Sequence, residues 1–436
     1  MSAAIQEGAA RRRNTFGVAL TFLAPALLLL AAIVVYPIFF SIGRSMFDAN
    51  GDTFVGVDNY TRMFSSQATL TAIKNNLIWV AVAPSVVTAL GLIFAVLTER
   101  ISWSGAFKVV IFMPMAISFL SAGVTWRLIY EQDPRIGLAN ASVGAIVEVV
   151  RPPGAIAGAR PSEEQELESS ADGGLRTTGE VETGATASFG LVAIPPEEVP
   201  SEATQARAPA SAEDTVAGTV WLDFLPGGGG LRGAIDEGER GLPGVELEAV
   251  LDGQVAASAT TADDGTFRFE GLDAGAYVVR VAASNFREPF AGISWLGPAL
   301  VTPAIIVSYV WIWAGFAMVV IAAGLAAIPR ETLEASRVDG ANEWQVFRRV
   351  TVPLLAPVLL VVFVTLVINV LKIFDLVLVI APGSSQQEAN VIALQLWKTA
   401  FGIRDFGLGS ALAVFLLLLV IPAMAFNIRR FRAEET

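Results

Sequence analysis

The chain has 436 residues, 54% of them hydrophobic and only 16% charged, with a formal net charge of −12. It contains no cysteine and no histidine, which excludes disulfides, thiolate metal sites and imidazole chemistry. No Walker-type glycine loop occurs, so any ATP must be hydrolysed by another chain.

The charge is unevenly placed. Residues 145–290 hold 25 acids and 9 basic residues, leaving 16 acids and 20 basic residues for the rest. An acidic soluble piece is therefore set into a mildly basic chain of long apolar runs.

From the amino terminus, Arg11, Arg12 and Arg13 precede an apolar run over 16–40. The run is too long for a signal peptide and lacks a small-residue cleavage site. Further runs over 77–97, 107–130, 298–327, 354–379 and 406–428 complete six predicted spans. Each is near or above the ~20 residues needed to cross ~30 Å of hydrocarbon. With both termini in the cytoplasm, the inside segments collect Arg11–Arg13, Arg100, Lys108, Arg330, Arg337, Arg348, Arg349, Arg429, Arg430 and Arg432. The fold class expected is an α-helical polytopic membrane protein with six transmembrane helices and an inserted extracytoplasmic β-sandwich domain. Residues 1–130 carry the first three helices and 284–436 the last three.

The insert changes character twice. Residues 151–213 are rich in Pro, Glu, Ser, Ala and Gly, and 131–215 reads mostly as a flexible tether, with Ala187 to Ile194 a candidate strand. Residues 216–283 alternate apolar and polar positions between turn signals such as Asp264-Gly265, as an antiparallel sandwich does. The runs GTVWLD, DEGERGLPGVEL and TTADDGTFRFEGLDAGAYVVRV resemble the B-type repeats of Gram-positive surface adhesins and related transthyretin-like modules. Some of those repeats bind calcium. Here Asp223, Asp236, Glu237 and Glu239 stand in corresponding places, but a tetraglycine run replaces further oxygen ligands, and calcium needs six to eight. The acids read as solvated turn residues, with no metal or cofactor site expected.

Between the fourth and fifth spans lies IPRETLEASRVDGANEWQVFRRVTVP, residues 328–353. Residues 298–327 before it and 354–371 after it carry no charge, so this segment is a loop outside the bilayer. Glu331 and Glu334 follow Pro329 in a first helical turn, Asp339-Gly340 supplies a break, and Trp344, Phe347 and Val350 recur at helical spacing before Pro353. This predicts a helix-turn-helix with an apolar face of its own.

EASRVDGA, with Ile-Pro before it and Thr-Val-Pro-Leu-Leu after it, resembles the cytoplasmic coupling loop of ABC importer permeases, most closely the maltose-type and alpha-glucoside-type sugar permeases. FVGVDNYTRMF after the first span and MPMAISFLSAGVTWRLIY in the third resemble the same family. The resemblance implies that Glu331, Glu334, Ala335, Asp339, Gly340 and Ala341 meet an ATPase subunit. It also implies a second homologous permease, two ATP-binding subunits, an extracytoplasmic solute-binding protein and a sugar substrate, in a plasma or inner membrane. Neither an enzymatic activity of its own nor a nucleic-acid partner is expected. Two other readings stay open at this point: an ion-coupled secondary transporter, and a membrane-anchored adhesin or sensor.

In the fifth span Thr365, Asn369 and Lys372 share one helical face. At 1.5 Å per residue from Leu354 they lie roughly 17, 22 and 27 Å along the helix. A polar stripe in an apolar span faces a cavity or a partner helix. By the family resemblance it faces the sugar. Asn75 and Asn76, at the start of the second span, suit either substrate contact or packing.

Overall fold

The computed structural model describes residues 21–434 apart from 100, 164, 196–198, 211 and 213, with side chains as far as 422. The arginines expected at 11–13, 100, 429, 430 and 432, and the start of the first span, lie outside the residues or side chains described. The chain divides into two compact units, Met1–Tyr130 with Ser294–Thr436, and Glu131–Ile293.

The first unit is helical. Its long elements are α1 (Thr21–Arg44), α3 (Gln67–Glu99), α7 (Val301–Ala326) and the continuous helix Glu343–Leu371, and these four are long and apolar enough to cross a membrane. The short α2 (Asp58–Ser65) lies between α1 and α3. The third run is not one rod. Helices α4 (Ser104–Phe112) and α5 (Phe119–Ile129) flank a 3₁₀ turn at Met113–Ala116, and the pair bends by 99°. Pro114 sits in that turn, Ile117 and Ser118 are extended, and the Ser118 hydroxyl caps α5 by accepting from the Ser121 amide at 3.2 Å. By length and composition the described residues supply four spans, or five with the bent pair, where six are predicted. Helix α13 runs Phe406–Glu434, but its side chains are described only to Pro422.

Helix α7 is apolar all round and is the axis of the unit. Trp79 of α3 meets Tyr309 of α7 edge-to-face at 5.5 Å, both fully buried. Higher up, a Cβ on Gly91 would lie 2.5 Å from Ala317 Cβ, so glycine sets how closely the two helices approach. Val362, Leu366 and Val370 close the core from the helix Glu343–Leu371.

That helix corrects two boundaries. It was expected to start after Pro353, yet α9 (Glu343–Val346) continues through a π-turn (Phe347–Thr351) into α10 (Val352–Leu371). Pro353 cannot donate to a carbonyl one turn back, and the wider turn just before it accommodates the missing bond. The run expected to reach 379 stops at Leu371. The amides of Lys372 and Ile373 donate three residues back, to Asn369 and Val370, which tightens the end. A separate helix α11 (Asp375–Ile380) follows, with Asp375 in its first turn. The short α12 (Ile392–Trp397) then precedes α13.

The second unit holds α6 (Leu138–Val150) and two sheets. One sheet is ordered β1 (Arg160–Pro161), β5 (Thr186–Val192), β6 (Val216–Leu222) and β10 (Thr266–Phe269), with β7 (Arg240–Gly241) on β6. The other is ordered β2 (Leu167–Ser169), β3 (Leu175–Thr177), β11 (Ala276–Val281), β8 (Glu246–Leu251) and β9 (Gln254–Thr260), with β4 (Val181–Glu182) on β11.

Phe189 and Val220 from one sheet and Leu247 and Val279 from the other are fully buried in a common core. The tether expected over most of 131–215 is thus replaced by a helix and five strands, of which β5 takes up the candidate strand at 187–194. Residues 216–283 alone do not close the sandwich, because β5 pairs in parallel with β6 and β3 pairs with β11.

Near the tetraglycine run, Asp223 accepts from the Gly233 amide at 2.8 Å, Asp236 from that of Leu231, and Glu239 from that of Asp236 at 3.0 Å. These three acids hold the loop rather than stand in solvent, and Glu239 is buried, whereas Glu237 is exposed as expected. Burial, then the charges of Asp223 and Asp236, raise its carboxyl above the usual range, against the opposing Asp236 amide. Among the described residues no group of three or more acids is arranged to hold a metal ion.

Candidate functional site

The 328–353 segment folds as α8 (Arg330–Val338), a turn, and α9. Asp339 ends α8, and Gly340 takes φ +88° with its amide donating to the Arg337 carbonyl at 3.0 Å. Asn342 and Gln345 then form a reciprocal cap on α9, each bond 2.9 Å.

Glu331, Glu334, Ala335 and Val338 fall at i, i+3, i+4 and i+7 on α8, and all four are exposed. Asp339 and Gly340 extend that exposed surface, and Ala341 is half-buried. The six residues singled out from sequence therefore sit on one outward face and its turn. The opposite face of α8, Leu333 and Arg337, lines a cavity of about 510 Å³ shared with Glu343, Trp344, Val346 and the end of α3. The apolar face expected of α9 is rotated: Val346 is buried, whereas Trp344 is 66% exposed and rests against Phe347 at 5.6 Å.

A second site lies where α10 ends. A cavity of about 110 Å³ is walled by Asn369, Lys372, Asp375, Tyr309, Trp313 and Phe119, with Ile373 to Leu376 completing it. It brings Asn369 and Lys372 together. Thr365 does not line it; its carbonyl accepts the Asn369 side-chain amide at 3.0 Å. Tyr309 and Trp313, one turn apart on α7, stack at 5.8 Å. Among the described residues the buried Tyr309 hydroxyl and Trp313 ring N–H have no hydrogen-bond partner. An aromatic wall, two orphaned polar atoms, an amide and both signs of charge present stacking and hydrogen-bonding groups, in a chamber smaller than the ~300–1,000 Å³ of a typical ligand pocket. Sequence reading missed the aromatic pair, although Tyr309 and Trp313 stand at helical spacing within YVWIW.

Asn75 and Asn76 are anchors. The Asn75 side chain donates to the carbonyls of Glu388 and Asn390, and Asn76 accepts from the Ile392 amide. Asn59, in the FVGVDNY run, is buried and donates to the carbonyls of Ser45 and Phe47. A larger concavity, about 970 Å³ between α3 and α7, is walled mainly by apolar side chains such as Ile78, Val82, Ile306 and Val310. That wall suits acyl chains or a neighbouring helix, not a hydroxylated solute.

Residues 266–429 match the family described as binding-protein-dependent transport system inner membrane component. The chain is a permease of that family. Over 418 residues, 95% of its length and 99% of the relative's, the permease is 29% identical to the osmoprotective compounds uptake permease protein GgtC of Synechocystis sp.. It is also 29% identical over 419 residues, 95% of its length and 82% of the relative's, to the alpha-glucoside transport system permease protein AglF of Rhizobium meliloti.

In fold the permease is similar to a chain from the crystal structure of a bacterial ABC transporter involved in the import of the acidic polysaccharide alginate. The TM-score is 0.56 at 15% identity, over 96% of this chain and 98% of that one. Residues 232–292 match a carboxypeptidase regulatory-like domain. The near-complete coverage of GgtC also means that the insert is not peculiar to this permease.

Proposed function

We propose that the permease is one of two membrane subunits of an ATP-driven importer of a sugar, most closely an alpha-glucoside or oligosaccharide. It converts closure of two partner ATP-binding subunits into alternating access. The observation that carries this reading is the exposed face of α8. It is a short charged helix turned at Gly340 between two apolar helices, inside the region matched to the transport family, and its second helix runs unbroken into the span behind it. The names of the full-length relatives, one an alpha-glucoside permease, support the substrate class.

In this reading six spans place both termini and the 328–353 loop in the cytoplasm. The sheet unit lies on the other side of the membrane, and an extracytoplasmic solute-binding protein delivers the sugar there. Glu331, Glu334, Ala335, Asp339, Gly340 and Ala341 contact the ATPase. Asn369 and Lys372 meet the sugar beside Tyr309 and Trp313, and Thr365 supports Asn369 from one turn below. The permease itself is not an enzyme. Native mass spectrometry of the affinity-purified protein tests the assembly: a second permease and two ATP-binding subunits should co-purify, and a homomeric or solitary chain refutes it.

A further inference from the structure

We infer that Arg337 and Glu343 are the positioning link that carries movement of α8 into the spanning helix; the inference rests on the transport reading above. Helix α8 has no buried residue, and its one half-buried apolar side chain, Leu333, gives it little apolar anchoring. Its inner face, Leu333 and Arg337, borders the 510 Å³ cavity instead of a filled core. Among the described residues it is held by the turn at Gly340, the Ala341 amide on the Ser336 carbonyl at 3.1 Å, and a side-chain clamp.

In that clamp the Arg337 Nε donates to one Glu343 carboxylate oxygen at 2.8 Å, and Nη2 to the other at 3.4 Å. Two parallel bonds fix the angle between helices as a single point charge cannot. Glu343 holds the guanidinium most strongly, with Glu334 and Glu99 adding weaker attraction.

Glu343 is also the first residue of the continuous helix that ends at Leu371, beside Asn369 and the aromatic chamber. A push on the exposed face of α8 thus has a direct route: α8, clamp, helix. With the clamp cut, α8 swings on the Gly340 turn and the push is absorbed in the cavity beneath it. Both groups are solvent-exposed, 42% and 59%, so the pair adds little to stability. Its contribution is direction.

The test uses the assembled importer in proteoliposomes and reads ATP hydrolysed per sugar taken up. Arg337→Gln and Glu343→Gln should each assemble at wild-type yield and keep at least half the ATPase rate. Each should spend at least fivefold more ATP per sugar. The exchange Arg337→Glu with Glu343→Arg should bring the ratio back to within about twofold of wild type. A merely structural pair would change yield or melting and leave the ratio alone.

The inference is overturned if the single variants keep the wild-type ratio, if they shed the ATP-binding subunits, or if the exchange fails to restore coupling. A wild-type importer that hydrolyses ATP but moves no sugar overturns the transport reading as well. Normal wild-type transport with an unchanged ratio in the variants overturns the clamp alone.

Discussion

Phe189 decides whether the stretch before residue 216 is a tether or part of the sandwich. Its side chain is fully buried on β5, 6.2 Å from the ring of Phe267, which in turn meets Phe269 edge-to-face at 5.5 Å. Truncating a fully buried phenylalanine to alanine costs about 3–5 kcal/mol, the lost transfer energy plus the cavity left behind. Domain stabilities are about 5–15 kcal/mol, so the loss is a large fraction of the whole. For a unit of this size each kcal/mol moves the melting midpoint by roughly 2–4 °C, so Phe189→Ala should lower it by about 6–20 °C. The assay is thermal melting of the 131–293 fragment, followed by near-ultraviolet circular dichroism. That fragment should fold with dispersed amide signals, whereas 216–283 alone should not, since it lacks β1–β5. An unchanged midpoint in Phe189→Ala, or a well-folded 216–283 fragment, refutes the two-sheet assignment of residues 160–192.

Three further outcomes follow from the site geometry. At Gly340 a Cβ meets nothing within 4 Å, but φ is +88°, so Gly340→Val strains the backbone by about 1–2 kcal/mol and should abolish uptake with membrane insertion intact; Gly340→Asn, which tolerates that conformation, should retain it, and normal uptake in the valine variant removes the turn from the coupling path. Asn369→Leu should raise the transport Km about tenfold or abolish uptake without lowering complex yield, and Tyr309→Phe should raise Km about fivefold if its orphaned hydroxyl meets substrate, a loss of ~1 kcal/mol; wild-type Km in both returns them to helix packing. Glu239 has a raised carboxyl pKa, so the fold favours its neutral form, and its stabilising contribution is present at acid pH and lost as pH rises through the folded-state value. Glu239→Gln should therefore raise the melting midpoint of the 131–293 unit at pH 7.5 and give no gain near pH 4; equal effects at both values contradict the assignment.

The loop at 328–353 was legible because charge, proline and glycine stand between two uncharged runs, a contrast of composition that no packing detail overrides. The breaks within spans were not. Pro114 and Pro353 look alike in sequence, yet one marks a sharp bend and the other passes into a continuous helix through a π-turn. Strands β1–β4 are two or three residues long and rich in Glu, Arg and Thr, too short to show alternation. Their pairing is set by partners as distant as β11. The chamber escaped for the opposite reason. Tyr309 and Trp313 sit in a span so uniformly apolar that no face stands out, and only the end of α10 at Leu371 makes a cavity beside them.

Uptake of a labelled alpha-glucoside into proteoliposomes that contain the purified importer and its solute-binding protein tests the central claim most directly, with ATP supplied on the ATPase side and no ion gradient imposed. Accumulation that requires ATP and its hydrolysis is the expected result; accumulation driven by a proton or sodium gradient without ATP, or none under either condition for any sugar, contradicts it.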